Sequence, residues 1–210
     1  MRLISGIVLA GGQSQRMGTD KALLQMDGQP LIGWVLERLQ QLSDDLIIVA
    51  KDTAPYTHLG ARLVTDAYPG QGVLVGLHAG LKAARYPRAL AVACDMPFLD
   101  LRLLRYMIVA GRGHDAVLPR IGGYPEPLHG LYRVKSCLPA IEQALDSGQF
   151  KMTSFLPSVQ VRYVEEHEVG LFDPQHLSFF NVNTPEDWER GQKLARQLRR
   201  QRASRRKRES

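Results

Sequence analysis

The chain has 210 residues, of which 44% are hydrophobic and 23% are charged, and it contains two cysteines. This length suits a single α/β domain, and the composition is that of an ordinary globular protein rather than a disordered or fibrous one. Two cysteines exclude a disulfide framework and a four-cysteine metal site, and no apolar run approaches membrane-spanning length. Because no secretory pattern opens the chain, we expect a cytoplasmic protein that does not bind membranes.

The net charge of +6 is distributed unevenly along the chain. Residues 193–210 contain nine Lys/Arg and one Glu, whereas the remaining residues contain 18 basic and 20 acidic side chains. A slightly acidic body argues against nucleic-acid binding across the whole fold. We predict one domain over residues 1–198 and a basic, disordered tail over residues 199–210. A distant alternative is salt-sensitive nucleic-acid binding through that tail.

Short apolar runs alternate with amphipathic helical patterns in the first half of the chain. The patterns predict strands at residues 4–9, 46–50, 61–64, 89–93 and 116–118, and helices at residues 30–42, 74–84 and 101–110. This alternation is typical of a Rossmann-like, three-layer α/β/α fold with a mainly parallel central sheet. Such folds bind ligands at the carboxyl ends of their strands, where the loops after Leu9, Val64 and Ala93 are expected.

The second half of the chain is less regular. Its patterns predict a strand with an edge proline at residues 126–132, a helix at 135–145 and a strand at 159–164. Residues 179–183 are predicted to form a strand that leads directly into a helix. Thr184 is its expected N-cap, Pro185 its first residue, and Asp187 lies in its first turn.

The opening segment has the features of a phosphate-binding loop. A buried strand ends in Leu9-Ala10-Gly11-Gly12, where the missing glycine side chains let backbone N–H groups approach a phosphate chain. Arg16 and Lys21 place two cations next to those donors. The glycine spacing fits neither the Walker pattern nor the dinucleotide fingerprint, so we predict an anion site of another class. The alternative is an ordinary Gly-rich turn.

Asp95 is the best candidate for a metal-binding carboxylate. It follows an apolar strand and precedes Pro97, so it is expected at the carboxyl end of a central strand, close to the anion loop. Mg²⁺ prefers one or two carboxylates together with phosphate oxygens and water, so we predict that Asp95 holds Mg²⁺ rather than only capping a helix. Asp66 is a weaker candidate for contact with a nucleotide or second metal, and a loop Asp without function explains it equally well.

These motifs together resemble a known family. The pattern Leu-Ala-Gly-Gly-x3-Arg-Met-Gly-x2-Lys, which ends at Lys21, is similar to the signature of nucleotidyltransferases acting on the molybdenum cofactor, the molybdenum cofactor guanylyltransferases. Cys-Asp-x-Pro around Asp95 and Asn-Val-Asn-Thr-Pro-Glu-Asp from Asn181 also match. The resemblance covers nearly the whole body. Val73 stands where the family usually has proline, and Ala50-Lys51 lacks an amide that the family often places there.

The resemblance implies Mg²⁺-dependent transfer of GMP from GTP to a molybdopterin-type cofactor, with release of pyrophosphate. It implies a catalytic role for Arg16, Lys21 and Asp95. The nucleotide would contact Leu9, Ala10, Gly11, Gly12, Lys21, Asp66, Gly72 and Asp95, and the acceptor would contact Pro127, Asn181 and Asn183. His129, next to that acceptor edge, is expected to be a packed histidine without a catalytic role. Alternatives are a nucleotidyltransferase that uses CTP or one with a sugar-phosphate acceptor. Transient contact with proteins that deliver or receive the cofactor is also expected.

Overall fold

A computed structural model of the chain describes residues 4–10, 20–65, 68 and 72–209, with side chains up to residue 201. The described residues form ten β-strands and six α-helices. The strands are β1 (Ser5–Leu9), β2 (Gln25–Met26), β3 (Gln29–Pro30), β4 (Asp45–Val49), β5 (Arg62–Val64), β6 (Arg88–Ala93), β7 (Ala116–Ile121), β8 (Tyr124–Pro125), β9 (His129–Arg133) and β10 (Val161–Glu165). The helices are α1 (Leu31–Leu39), α2 (Val73–Ala83), α3 (Leu101–Ala110), α4 (Val134–Asp146), α5 (Glu166–Gly170) and α6 (Pro185–Glu209).

Eight strands form one sheet, in the order β10-β7-β9-β6-β1-β4-β5, with β8 paired to the end of β7. β1 runs parallel to both β4 and β6, β5 is parallel to β4, and β10 is parallel to β7. β9 is antiparallel to its two neighbours, β6 and β7. The predicted three-layer fold with a mainly parallel sheet is therefore confirmed. Since β1, β4, β5 and β6 are parallel, their carboxyl ends share one edge of the sheet, which we call the carboxyl edge.

Two hydrophobic cores lie on opposite faces of the sheet, because successive strand residues point to opposite sides. Ile7 and Val49 pack beneath α2 and α4, whereas Val8 and Ile48 pack beneath α1 and α3. Full burial of each such side chain contributes about 1.5–3 kcal/mol. Gly80 lets α2 approach β1 closely, since a Cβ there would lie 2.6 Å from Cγ2 of Ile7.

A third, smaller core joins the β2–β3 hairpin to α1 and α6. Trp34 donates from Nε1 to the carbonyl of Met26 at 3.0 Å, and its ring meets Phe98 edge-on at a centroid distance of 6.0 Å. The hairpin turns at Asp27-Gly28, where both residues have positive φ (48° and 83°), as two-residue hairpins require. Ala195 of α6 is buried against this core, which fixes the last helix on the body.

Two predicted strands are wrong in part. Residues 126–128 form a turn before β9, which begins at His129. Residues 180–183 form no strand, and Leu177–Phe179 before them is a turn of 3-10 helix. For residues 180–183 the physical reason is that β6 is already paired with β1 and β9 on its two sides. A further segment passing its end can make only isolated contacts, such as the hydrogen bond from Val182 N to Asp95 O (3.0 Å).

The basic end of the chain also differs from its prediction, because α6 continues to Glu209 and residues 199–209 are helical rather than disordered. Arg, Lys, Gln and Ala are good helix formers, so a charge run of this composition extends a helix that packing has already nucleated. Arg199 belongs to the packed body, since its Nε lies 3.1 Å from Oδ2 of Asp27 and its guanidinium lies 5.3 Å from the centre of the Trp34 ring. None of the helices in the described part is long and apolar enough to cross a membrane.

Candidate active site

Three residues that the sequence singles out meet at the carboxyl edge. Nζ of Lys21 lies 3.1 Å from Oδ2 of Asp95 and donates to Oδ1 of Asn183 at 2.7 Å. These partners are 74 and 162 residues away from Lys21 in the chain. The fold thus brings together the first loop, the end of β6 and the segment before α6. We call Lys21, Asp95 and Asn183 the lysine cluster.

Lys21 is positioned by a short 3-10 turn, Lys21–Leu23, that begins immediately after Asp20. Oδ1 of Asp20 accepts a hydrogen bond from the backbone N–H of Ala22 at 3.1 Å, and Oδ2 accepts one from the buried hydroxyl of Tyr56. Burial, and then the hydrogen bond to Asp20, raise the pKa of Tyr56, so its hydroxyl remains a donor. Asp20 was not among the predicted site residues, although an Asp next to a short turn is a typical N-cap.

Asp95 is held by its backbone, and its carboxylate remains accessible. Cys94 N donates to the carbonyl of Leu9 at 3.1 Å, and Val182 N donates to the carbonyl of Asp95 at 3.0 Å. Burial raises the pKa of the Cys94 thiol to about 12, so the neighbouring side chain stays neutral. The side chain of Asp95 is 25% exposed. It can therefore exchange its Lys21 partner for a ligand without movement of the backbone.

Asn183 is fixed by the start of α6. The backbone N–H groups of Asn183 and Thr184 both donate to Oδ2 of Asp187, at 3.0 and 2.9 Å, and Asp187 N donates to Oγ1 of Thr184 at 3.1 Å. These hydrogen bonds hold the pKa of Asp187 below its usual value. The predicted N-cap Thr184 is confirmed. Val182 is buried, whereas Asn181 is half-buried and Asn183 is exposed, which agrees with the predicted alternation.

The lysine cluster has the donor set of a hard divalent cation. A carboxylate oxygen and an amide oxygen converge on one point, and the Lys21 ammonium stands there as a cation would. The described residues contain no group of three His, Cys, Asp or Glu side chains that could hold a metal ion, and the lysine cluster itself offers one carboxylate and one amide. A site with so few protein ligands suits a divalent cation that completes its shell with phosphate oxygens and water.

The other predicted nucleotide contacts lie partly within the described residues. Leu9 and Ala10 end β1 at the carboxyl edge, and Ala10 N donates to the carbonyl of Val49 at 2.8 Å. Gly72 precedes α2 with a φ of +143°, and a Cβ there would lie 3.3 Å from the carbonyl oxygen of Phe150. Glycine is therefore required at this position by the local backbone, whether or not a nucleotide contacts it. Gly11, Gly12, Arg16 and Asp66 lie outside the described residues.

Pro127, a predicted acceptor contact, lies in the turn between β8 and β9. Its carbonyl accepts a hydrogen bond from the hydroxyl of Tyr132. The next residue, Leu128, accepts a hydrogen bond from Ala93 N at 3.1 Å, which ties the turn to the end of β6. This hydrogen bond holds the turn next to Ala93, two residues before Asp95. The roles of Pro127, Asn181 and Asn183 towards an acceptor stay predictions.

His129 is fully buried at the start of β9, with its ring centroid 4.8 Å from that of Phe179. Neither ring nitrogen has a hydrogen-bond partner among the described residues. Burial lowers the pKa of His129 to about 4, so the ring is neutral near pH 7. The structure thus shows a packed, uncharged histidine outside the lysine cluster.

Comparison with known proteins agrees with this geometry. Residues 6–162, about three quarters of the chain, match the family of MobA-like NTP transferase domains. The chain belongs to the MobA-like NTP transferase family. A probable molybdenum cofactor guanylyltransferase of Pelotomaculum thermopropionicum is 40% identical over 183 residues, which cover 87% of this chain and 89% of that protein. A molybdenum cofactor guanylyltransferase of Desulfosudis oleivorans is 36% identical, covering 91% of this chain and 96% of its own length.

Solved structures show the same architecture. Molybdopterin-guanine dinucleotide biosynthesis protein A of Archaeoglobus fulgidus superposes with a TM-score of 0.79 and 30% identity, covering 92% of this chain and all (100%) of that one. The 2-C-methyl-D-erythritol 4-phosphate cytidylyltransferase of Thermus thermophilus has a TM-score of 0.71 at 19% identity, with 92% and 98% coverage, and this likeness concerns the fold alone. The nucleotidyltransferase fold expected from the sequence is therefore confirmed for this MobA-like protein.

Proposed function

We propose that this MobA-like protein transfers GMP from GTP to molybdopterin in a Mg²⁺-dependent reaction. The observation that carries the proposal is its alignment with relatives named molybdenum cofactor guanylyltransferase, at 36–40% identity over 87–91% of the chain. The lysine cluster supports it, because a cation, a carboxylate and an amide oxygen at the carboxyl edge suit a nucleoside triphosphate with its divalent cation.

In the proposed reaction, an oxygen of the terminal phosphate of molybdopterin attacks the α-phosphorus of GTP. One P–O bond forms, the bond from the α-phosphorus to the oxygen bridging to the β-phosphate breaks, and pyrophosphate leaves with both electrons. A phosphate monoester is already ionised near neutral pH, so the chain needs no general base. Positioning and neutralisation of charge then provide the rate enhancement.

Each residue of the site has a proposed part in that reaction. Asp95, together with the amide oxygen of Asn183, would hold Mg²⁺, which would neutralise charge on the triphosphate oxygens. Lys21 binds the triphosphate together with Arg16 and the N–H groups of Gly11-Gly12. Leu9, Ala10, Asp66 and Gly72 lie on the proposed nucleotide side, and Pro127 and Asn181 on the acceptor side.

The setting of this activity follows from its chemistry. Cys94 and Cys137 are both free thiols, which agrees with a reducing cytoplasm as the proposed location. Proteins that supply molybdopterin or receive the dinucleotide are the proposed partners, and their contact with this chain would be transient.

The proposal is tested by incubating the protein with Mg²⁺, molybdopterin and one of GTP, CTP, ATP or UTP, and measuring pyrophosphate. We expect release at least about tenfold faster with GTP, since each buried polar group left unpaired by a wrong base costs about 1–3 kcal/mol. A preference for CTP would instead identify a cytidylyltransferase. Release with a sugar phosphate, and none with molybdopterin, would overturn the proposed acceptor.

A further inference from the structure

Lys21 holds the two oxygens that the proposed Mg²⁺ site needs. Its Nζ bridges Oδ2 of Asp95 and Oδ1 of Asn183, at 3.1 and 2.7 Å. The side chains of Lys21 and Asp95 are only 12% and 25% exposed. Because water is partly excluded from this pair, its attraction is stronger than that of an ion pair on an open surface.

A divalent cation and the Lys21 ammonium exclude each other at this position. Mg²⁺ bound to these oxygens would lie about 2.1 Å from each of them. An ammonium that kept its present contacts would then lie within a few ångströms of the metal ion, with three positive charges against one carboxylate. One of the two cations must therefore leave Asp95.

A triphosphate offers Lys21 a better partner than Asp95. It carries several negative charges, whereas Asp95 carries one, and the lysine side chain has four rotatable bonds that let its ammonium change partners. The backbone around Lys21 does not need to move, because Asp20 fixes the 3-10 turn through Ala22 and Tyr56. Release of Lys21 would leave the oxygens of Asp95 and Asn183 free for the metal.

We propose that Lys21 occupies the cation position of the nucleotide-free protein, and that the divalent cation enters only when the triphosphate draws Lys21 away. This inference rests on the proposed function for the identity of the ligands and adds the order in which they bind. It assigns Lys21 a second part: it neutralises Asp95 between turnovers and prevents the metal from binding alone. Metal and nucleotide affinities are then coupled, each raising the other.

The test is a Mn²⁺ titration of the nucleotide-free protein, followed by the electron paramagnetic resonance signal of free Mn²⁺. Lys21→Met keeps an apolar stem of similar length and removes the charge, so we expect it to bind Mn²⁺ at least tenfold more tightly than the unmodified protein. Lys51→Met is the matched control, because Lys51 is exposed and follows β4 at the same edge. It should leave Mn²⁺ affinity unchanged. Lys21→Gln serves as the second variant if Lys21→Met does not fold.

Two results would overturn the inference. One is Mn²⁺ affinity in both Lys21 variants equal to that of the unmodified protein. The other is a gain that persists when Asp95→Asn is added, which would put the metal elsewhere. Failure of the proposed function is recognised separately. If the protein releases pyrophosphate with GTP but the Lys21 variants bind Mn²⁺ with unchanged affinity, only the binding order is rejected. If no pyrophosphate is released with GTP, the function is rejected.

Discussion

Two aspartates at opposite edges of the same sheet form ion pairs, yet their surroundings differ. Asp45, at the amino end of β4, is 2% exposed and accepts hydrogen bonds from Ser5 Oγ (2.6 Å), Arg62 Nε and Nη2 (2.9 and 2.7 Å) and Arg85 N (3.0 Å). Asp95, at the carboxyl edge, is 25% exposed and pairs with Lys21 alone among the described side chains. The first carboxylate is saturated by the protein, whereas the second keeps acceptor capacity for a ligand.

The two aspartates thus differ in the acceptor capacity left for a ligand, and for this reason we propose a ligand-binding role for Asp95 and a structural one for Asp45. Burial alone would raise the pKa of Asp45, but hydrogen bonds from Ser5, Arg85 and Arg62 outweigh it and hold that pKa below its usual value. A cavity of about 540 Å³ lies beside Asp45, lined also by Arg62 and Arg85. The size of this cavity suits a small ligand. The oxygens of Asp45 already accept hydrogen bonds from the protein, however, so we assign the cavity no ligand.

The largest effect is expected from Asp95→Asn, which keeps the shape of the side chain and removes its charge. Transfer should fall at least about a hundredfold, since a lost metal ligand costs about 3 kcal/mol or more of transition-state stabilisation. The melting temperature should change little because the pair is partly exposed. The measurement is the rate of pyrophosphate release at saturating Mg²⁺, and a near-normal rate would reject the metal assignment.

Asp45→Asn should instead lower the stability of the protein and leave the rate of GMP transfer nearly unchanged. It places an amide against the Arg62 guanidinium and leaves that cation without its anion, so the free energy of unfolding should fall by about 3 kcal/mol. Asp44→Asn is the matched control, since Asp44 is exposed and its neutralisation should cost far less. Urea unfolding measures both variants. If Asp45→Asn folds with normal stability but loses GMP transfer, Asp45 contributes to the reaction. Its assignment as a purely structural aspartate would then be wrong.

A smaller effect concerns His129, which is buried near the carboxyl edge without the partners that Asp45 has. The unfolded chain takes up a proton near pH 6.5 and the folded protein only near pH 4. Between those values the unfolded state binds more protons, so stability falls as the pH falls, by about 3 kcal/mol in total. In His129→Leu this part of the stability loss at acidic pH should disappear. The measurement is the unfolding free energy from urea titrations at pH 7 and pH 4.5. An equal decrease in both proteins would contradict the prediction.

The smallest effect is expected from deleting residues 202–210, which lie beyond the Arg199 contact with Asp27. The unfolding free energy should stay within about 0.5 kcal/mol of that of the full chain, because a run of like charges adds little to a packed core. The transfer rate should stay within about twofold. Arg199→Ala should destabilise the protein more than the deletion does. A clear loss of transfer in the shortened chain would assign the basic end a role in binding.

Much of the fold follows from hydrophobic periodicity. The helix at residues 101–110 has the predicted bounds, and the central strands differ by one residue at their ends, because their apolar runs are long and unbroken. The antiparallel direction of β9 was not predictable in this way, since an apolar run does not encode the direction of a strand. The helical end of α6 also departs from the charge pattern, which describes solvation and not helix propensity.

The site was predictable only in its members. Lys21 and Asp95 stand out from local motifs, and Asn183 from the resemblance of its motif to the family. Their contacts depend on where the segment before α6 crosses the end of β6, which only tertiary packing decides. For the same reason the sequence did not indicate that Lys21 would stand in the cation position, or that Tyr56 would hold Asp20.

The most direct test is a crystal structure with a non-transferable GTP analogue, methylene-bridged between its α- and β-phosphates, and Mg²⁺. We expect Mg²⁺ about 2.1 Å from a carboxylate oxygen of Asp95, with Nζ of Lys21 moved from Asp95 to the triphosphate. A nucleotide bound at the Asp45 cavity, or one at the carboxyl edge with Lys21 still paired to Asp95, would contradict this description of the site.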